Sequence, residues 1–151
     1  ESWGWGGCIR VKYGTRADET SSEDGAVMEL NYGTNLRLIR YADVLLMAAQ
    51  ANHMAGNDGV AANYLNQVRE RAGLGVLTGD IMTAIKTERQ MELCFEGLRL
   101  LDLIRWGDAP SVLGSLGFVQ GKHELFPIPQ DEIRNNSNAV QNPGYTKTLH
   151  N

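Results

Sequence analysis

The segment that most constrains this chain is residues 80–107, DIMTAIKTERQMELCFEGLRLLDLIRWG. Asp80 is a helix-starting residue type, and no proline interrupts the segment. Apolar side chains fall on nearly every side of such a helix, which is typical of a central, largely buried element. The pattern predicts a helix of at least four turns over 80–96, a hinge at Gly97, and a second helical piece over 98–106.

Three carboxylates on this segment, Glu88, Glu92 and Glu96, have the spacing i, i+4 and i+8, which places them in one row on a helix. Like charges at this spacing repel each other, so cations must lie close by. Arginine suits this role because its planar fork binds a carboxylate with two hydrogen bonds. We predict a structural ion network of Glu88, Arg89, Glu92, Glu96, Arg99 and Arg105, joined by Arg37, Arg40, Arg69 and Arg71 from other helices.

Two helices are predicted before the central segment. Residues 36–54 show a strong helical pattern that ends near Gly56, and residues 60–72 show a second one, closed by Gly73. The sequence Asn-Asp-Gly at 57–59 predicts a turn between them. The result is a helical hairpin.

The predicted hairpin has the length of a tetratricopeptide repeat, since Tyr41 to Leu74 comprises 34 residues. Ala49 and Ala61 place small side chains where two helices of such a hairpin cross. A second hairpin from the central segment is expected to stack on the first. The fold class predicted from these patterns is all-α, built from tetratricopeptide-like helical hairpins with irregular loops and tail.

The chain of 151 residues is 42% apolar and 21% charged, which is ordinary for one globular domain over residues 1–151. We expect residues 1–35 to be loop-rich, 36–107 to form the hairpins, and 108–151 to be an irregular tail. In that tail a glycine-rich connection follows Trp106, and Gln130 to Arg134 form one helical turn. The formal charge of −4 gives no broad basic field, so nucleic acid is a poor partner.

Trp3 and Trp5 are the candidate ligand-binding residues. Because they are two positions apart, extended backbone would point both indole rings to one side, where they could stack on the apolar face of a sugar. The alternative is that both rings cover the helical core.

The sequence contains no pattern for a metal site, a cofactor or nucleophilic catalysis: HExxH, CxxC, Glu-x-x-His, a glycine-rich phosphate loop and G-x-S-x-G are all missing. Glu88 or Glu96 could supply an acid and a base for glycoside hydrolysis, which needs two carboxylates facing one cleft. Three glutamates interleaved with arginines fit an internal ion network better. We therefore predict no catalytic residues, no metal and no cofactor.

Several segments in order resemble one protein family. The order RYADVLLMAAQA, LNQVRERAGL, ERQMELCFEGLRLLDLIRWG, LFPIPQDEI and QNPGY over about residues 35–145 is similar to the C-terminal part of the SusD/RagB family, while nothing in the first 30 residues adds to the resemblance. The resemblance implies a SusD-like α/α superhelix of tetratricopeptide-like repeats. Since family members are several times longer, it also implies that the chain is a C-terminal fragment of such a protein or a reduced relative.

The family comprises surface lipoproteins that capture glycans and other nutrients. The resemblance implies a non-enzymatic glycan-binding component for polysaccharide utilisation, which delivers oligosaccharide to a SusC-like TonB-dependent transporter. It also implies a surface-exposed place at the outer membrane, with a lipid anchor on a part outside this chain. No binding residue carries over by motif. Two other functions stay open: a tetratricopeptide-like adaptor that binds a protein, and a glycoside-active enzyme.

Overall fold

The computed structural model describes residues 37–145, and the chain divides into two compact units, Glu1–Phe95 and Glu96–Asn151. The described part of the first unit contains α1 (Tyr41–Met54), α2 (Asp58–Arg71) and α3 (Ile81–Glu92). The second contains α4 (Arg99–Trp106), α5 (Ala109–Leu113), a 3-10 turn (Gly114–Leu116) and α6 (Gln130–Asn135). Residues 37–145 include no strand, so the all-α prediction is confirmed for them. None of their helices is long and apolar enough to cross a membrane.

Helices α1 and α2 form the predicted hairpin. At the end of α1 the N–H of Gly56 donates to the carbonyl of His53, and the N–H of Asn57 donates to that of Asn52. This pair of bonds requires a left-handed residue, which Gly56 supplies with a φ of 79°. The turn predicted at 57–59 is wrong in its bounds, because Asp58 already belongs to α2 and Asn57 is the residue before it. Helix α2 therefore begins two residues earlier than the predicted start at residue 60.

Helix α1 begins five residues later than the sequence pattern predicts, at Tyr41 instead of residue 36. The preceding residue, Arg40, has extended backbone with a φ of −111° and a ψ of 144°. That conformation leaves the Arg40 side chain outside the helix, where it reaches α3. The tertiary contact described below outweighs the helical propensity of this segment.

The core of the first unit lies where its three helices meet, since α3 packs against both α1 and α2. The largest fully buried side chains there are Leu46, Leu65, Val68 and Ile85. Ala49 and Ala61 are also fully buried, with no exposed surface. Their small side chains allow the backbones of α1 and α2 to approach closely.

Helix α3 begins where predicted, but it ends early. The side chain of Asp80 accepts a hydrogen bond of 2.7 Å from the backbone N–H of Thr83 and so caps the helix. The helix has 12 residues and ends at Glu92, so the prediction of at least four turns reaching residue 96 is wrong. Residues 93–97 form a turn in which both Phe95 and Gly97 have positive φ, 65° and 79°. The break is a five-residue turn and not a single hinge residue.

Arg40 supplies the physical reason for the early end of α3. Its Nη2 donates to the backbone carbonyl of Glu92 at 2.8 Å and to the side-chain Oε1 of the same residue at 2.7 Å. In a longer helix this carbonyl would accept a bond from the N–H four residues later. A guanidinium from outside the helix takes that place, so the carbonyl of Glu92 has a partner although the helix stops there.

Further ion pairs join α3 to the hairpin. Arg71 Nη2 lies 2.5 Å from Glu92 Oε2, and Arg69 Nη1 lies 3.1 Å from Glu88 Oε2. In a third pair the charges are reversed, so that α3 supplies the cation: Arg89 of α3 donates to Asp43 of α1 at 2.7 Å. Glu88 and Arg89 are each only 5% exposed, so these partners offset the cost of burying charge.

In the second unit, α4 ends at Gly107, which has a φ of 76°. The expected glycine-rich connection after Trp106 contains a helix, α5, that sequence reasoning missed. Pro110 lies in its first turn, where its missing N–H costs nothing, and Ala109 is buried. The helical turn expected at 130–134 is present as α6.

Side-chain hydrogen bonds fix the tail to the extended segment before α6. Gln141 accepts from the N–H of Ile128 at 2.8 Å and donates to its carbonyl at 2.9 Å. Asn142 donates to the carbonyl of Phe126, and the hydroxyl of Tyr145 donates to that of Leu125. The QNPGY sequence thus satisfies the polar backbone of a segment that has no strand partner.

We expect enlargement of the buried alanines to destabilise the hairpin. Ala49→Leu or Ala61→Leu should lower the free energy of unfolding by about 1–3 kcal/mol, because the crossing has no room for an added isobutyl group. Thermal melts measure this change. Ala51→Leu is the matched control, since Ala51 lies on α1 with its side chain exposed. Equal melting temperatures for all three variants and the parent would contradict close packing at the crossing.

Removal of the carboxylate that joins the three helices should also be costly. Glu92→Ala should lower the free energy of unfolding by about 2 kcal/mol, because Arg40 and Arg71 lose the carboxylate that pairs with both, and the Arg40 side chain is only 20% exposed. Chemical denaturation measures the effect. Glu70→Ala, at an exposed position of α2, should change stability little. A parent-like Glu92→Ala variant would show that the ion pairs do not stabilise the fold.

The cap of α3 should make stability depend on pH. Hydrogen bonds from the side chain and backbone of Thr83 hold the pKa of Asp80 below its ordinary value. A lowered pKa in the folded state stabilises the protein above the unfolded pKa, about 3.9, and this contribution is lost as pH falls through the folded value. Asp80→Ala should therefore lower the melting temperature at pH 7, and the difference should shrink in acid.

Asp80→Asn provides the control for this pH dependence. Asparagine keeps the capping acceptor but does not titrate, so its stability relative to the parent should reach its most favourable value in acid. A difference between the parent and Asp80→Ala that is constant from pH 7 to pH 2 would rule out the proposed role of the carboxylate.

Candidate functional site

The predicted ligand-binding residues, Trp3 and Trp5, lie outside the described residues, so their role stays a prediction. The candidate site lies in the first unit and is lined by residues that the structure describes.

A groove of about 710 Å³ lies in the first unit where α1 begins and where α2 and α3 end. We call it the arginine groove. Its polar wall consists of Arg37, Arg40, Gln67, Glu70, Arg71 and Glu92, and its apolar wall of Ile39, Tyr41, Ala42, Leu45 and Val68. The volume is within the range of about 300–1,000 Å³ that is usual for small-molecule sites.

Each wall of the groove follows from local structure. Gln67, Glu70 and Arg71 have the spacing i, i+3 and i+4, which places them on one face of α2. Tyr41 is the first residue of α1, and it is 72% exposed. Glu92 enters from the last position of α3.

The floor of the groove is rigid because its residues belong to the helical core. Leu45 and Val68 are 7% and 2% exposed, and they come from the facing helices α1 and α2. Side chains that are packed in this way hold their rotamers. The floor of the groove is therefore formed before any ligand arrives, which lowers the entropic cost of binding.

The electrostatic centre of the groove is Glu92, whose side chain is 9% exposed. Its Oε1 accepts from Arg40 and its Oε2 from Arg71, so one carboxylate positions two guanidinium groups. The two arginines differ in exposure, at 20% for Arg40 and 64% for Arg71. Arg71 is held at one nitrogen and is otherwise open to solvent.

The structure brings together part of the ion network proposed from the sequence. Glu88 pairs with Arg69, and Glu92 pairs with Arg40 and Arg71. Arg89 pairs with Asp43, a partner that the sequence did not indicate.

The other proposed members of the network belong to the second unit. The single helical row of three carboxylates is wrong, because α3 ends before Glu96 is reached. Arg105 donates to Asp102 at 2.8 Å and lies 5.2 Å from the centre of the Trp106 ring. Arg99 lies over the same ring at 5.9 Å. These are cation–π and ion-pair contacts within α4.

A smaller cleft of about 350 Å³ lies in the second unit and is mostly apolar. The Phe118 and His123 rings meet edge to face at 5.8 Å, and Lys122 Nζ lies 4.9 Å from the Tyr145 ring centre. Nearby, a hydrogen bond from the N–H of Gly121 lowers the pKa of the Glu124 carboxyl. The cleft offers few polar groups that could orient a ligand.

Among residues 37–145, no three side chains of His, Cys, Asp or Glu are grouped so that they could hold a metal ion.

Sequence reasoning named Arg37, Arg40 and Arg71 only as partners of the carboxylate row and missed the groove they line. It also missed Tyr41 and Gln67 as groove residues. The sequence does contain one signal of the groove, which is the spacing of Gln67, Glu70 and Arg71 on one face of α2. It could not show that the start of α1 lies opposite that face, because this depends on how the hairpin packs.

Comparisons with known proteins identify the family of this chain. The sequence model described as the SusD family matches residues 9–116, which is more than half of the chain. The match begins at residue 9, so the expectation that the first 30 residues add nothing to the resemblance is wrong.

Two curated relatives illustrate the similarity. SusD-like protein P2 of Formosa agariphila is 36% identical over 74% of this chain and 26% of the relative. The starch-binding protein SusD of Bacteroides thetaiotaomicron is 31% identical over 74% of this chain and 22% of that protein. The chain thus spans about a quarter of the length of the curated relatives it matches.

Solved structures agree with the sequence matches. A laminarin-binding SusD-like protein superposes with a TM-score of 0.75 and 40% identity, over 86% of this chain and 27% of that one. A SusD-like protein from Bacteroides fragilis superposes with a TM-score of 0.61 and 29% identity, over 72% of this chain and 25% of that one. The shared helical architecture and the family match together establish that the chain belongs to the SusD family.

Proposed function

We propose that this chain is part of a non-enzymatic, glycan-binding component of a nutrient uptake system. Family membership carries the proposal, since similar proteins are described as starch-binding and laminarin-binding. The helical hairpin with its preformed groove is compatible with binding, because a rigid scaffold can hold polar groups in fixed positions.

The proposal extends to place and partner. The complete protein would sit at the outer membrane surface, anchored by a lipid on a part that this chain does not include. It would pass captured oligosaccharide to a SusC-like TonB-dependent transporter. These roles rest on the resemblance to the SusD/RagB family.

The geometry of the groove supports binding over hydrolysis. A glycosidase needs two carboxyl groups directed at the bond that breaks, about 5–9.5 Å apart. Both oxygens of Glu92 accept from arginines, and Glu88 pairs with Arg69. Glu70 and Glu92 are the carboxylates that line the groove, and of these only Glu70 has no arginine partner among residues 37–145, so the groove lacks a second open carboxylate.

The test is retention of oligosaccharides on the immobilised chain. Laminari-oligosaccharides and malto-oligosaccharides are natural first probes, because similar proteins are described as binding laminarin and starch. We expect weak, saturable retention without release of reducing sugar. Turnover of the bound sugar would contradict the non-enzymatic function, and a lack of retention for every oligosaccharide would contradict glycan binding by this chain.

The tryptophan pair gives a second prediction. Replacing both Trp3 and Trp5 by Ala should weaken retention of neutral oligosaccharides about tenfold, because two stacking surfaces are lost. The helical circular dichroism signal should not change. The double replacement by Phe keeps two aromatic rings and should retain most of the affinity.

Two outcomes would count against these tryptophans as ligand-binding residues. Unchanged retention by the Ala variant would show that the rings do not touch the sugar. Parallel loss of the helical signal and of binding would indicate instead that both rings cover the core.

A further inference from the structure

Arg71 is held in position by an ion pair and is also exposed to solvent. Its Nη2 is fixed on Glu92 Oε2, yet 64% of the side chain is exposed. Within residues 37–145, Glu92 is the single ion-pair partner of Arg71. A guanidinium has five N–H donors in a planar fork. Arg71 is therefore held in position while donors stay available on the side that faces the groove.

A second guanidinium of the groove, that of Arg37, is exposed and has no hydrogen-bond or ion-pair partner in the described part of the chain. Three arginines and two glutamates line the groove, so its described lining has a net charge of +1. The whole chain has a net charge of −4. The groove thus has the opposite sign to the chain that surrounds it, which favours an anionic ligand there.

The remaining lining is suited to a sugar. The exposed ring of Tyr41 offers a flat surface for the apolar face of a pyranose. Gln67 and Glu70 are exposed on the α2 side and offer a donor and acceptors for hydroxyl groups. A ligand that matches all of these features has a sugar ring, hydroxyl groups and one negative charge.

We propose that the arginine groove binds an acidic oligosaccharide through the carboxylate of a uronic acid unit. The planar carboxylate meets the open N–H groups of Arg71 as a bidentate pair, Arg37 adds a second positive charge, and the sugar ring lies against Tyr41. This inference rests on the proposed glycan-binding function and specifies the class of glycan that this groove takes.

The experiment compares trigalacturonic acid with the same trisaccharide after its carboxyl groups are reduced to neutral alcohols, using titration calorimetry on the 151-residue chain. We expect the acidic form to bind about tenfold more tightly in low salt, a difference of about 1.4 kcal/mol, because its carboxylate accepts charge-assisted hydrogen bonds that the neutral alcohol does not. Its affinity should fall as ionic strength rises, whereas that of the neutral form should not.

Substitutions assign the preference to the groove. Arg71→Gln and Arg37→Gln should each weaken the acidic ligand severalfold and leave the neutral ligand within about twofold. Arg71→Lys keeps the charge but loses the fork, so it should fall between the parent and Arg71→Gln. Arg134→Gln is the matched control, because Arg134 is an exposed arginine of α6 that pairs with Asp131 and does not line the groove. Thermal melts of every variant check that the fold is intact.

Four results would overturn the inference. Equal affinity for the acidic and the neutral trisaccharide would remove the role of the carboxylate, while glycan binding itself would stand. If Arg71→Gln lost equal affinity for both ligands, the groove would not distinguish the charged from the neutral ligand. If Arg134→Gln lost as much affinity for the acidic ligand as Arg71→Gln, the preference would not arise in the groove. Failure to bind these two ligands together with laminari- and malto-oligosaccharides would overturn both this inference and the proposed function.

Discussion

The described part of the first unit depends on one largely buried carboxylate, whose side chain is 9% exposed. Glu92 lies at the end of α3 and receives Arg40 from the residue before α1 and Arg71 from the end of α2. The same Arg40 nitrogen also binds the backbone carbonyl of Glu92, so one side chain ends a helix and joins it to the hairpin. Burying this charge is costly, and two guanidinium partners offset the cost only while all three helix ends stay in place. The ion cluster therefore fixes the relative positions of α1, α2 and α3.

The packing beneath the cluster makes that arrangement possible. Ala49 and Ala61 have no exposed surface, so α1 and α2 approach closely enough for their ends to share one carboxylate. Leu65 and Ile85 fill the space between the helices of the hairpin and α3. The small residues govern the distance between helices, and the charged residues govern where each helix starts or stops.

This construction connects the fold with binding. The groove forms at the junction of three helix ends, and helix ends are where polar side chains collect to satisfy free backbone groups. Both carboxylate oxygens of Glu92 accept hydrogen bonds from arginines. The junction therefore presents guanidinium groups to a ligand, and not a free Glu92 carboxylate. The binding function proposed for this SusD family member agrees with that arrangement.

In the second unit, side-chain hydrogen bonds hold a segment that has no regular secondary structure. Prolines at 127 and 129 prevent helix formation and remove backbone donors. Gln141, Asn142 and Tyr145 then bond to the backbone groups of residues 125–128, in the way that a neighbouring strand would. The QNPGY sequence thus has a local structural role.

Local chemistry in the sequence was sufficient for the all-α class, the hairpin over 41–74, the cap at Asp80 and the small residues at the crossing, because each depends on nearby residues and on hydrophobic periodicity. The same reasoning extended α3 to Glu96 and began α1 at residue 36, and both boundaries are wrong. They depend on Arg40, which lies 52 residues from Glu92 in the chain yet binds its backbone carbonyl. The charges along α3 also could not predict that Arg89 pairs with Asp43, because Asp43 lies on α1. A periodic pattern determines which face of a helix is buried, but only the packed tertiary structure decides which distant side chain reaches its end.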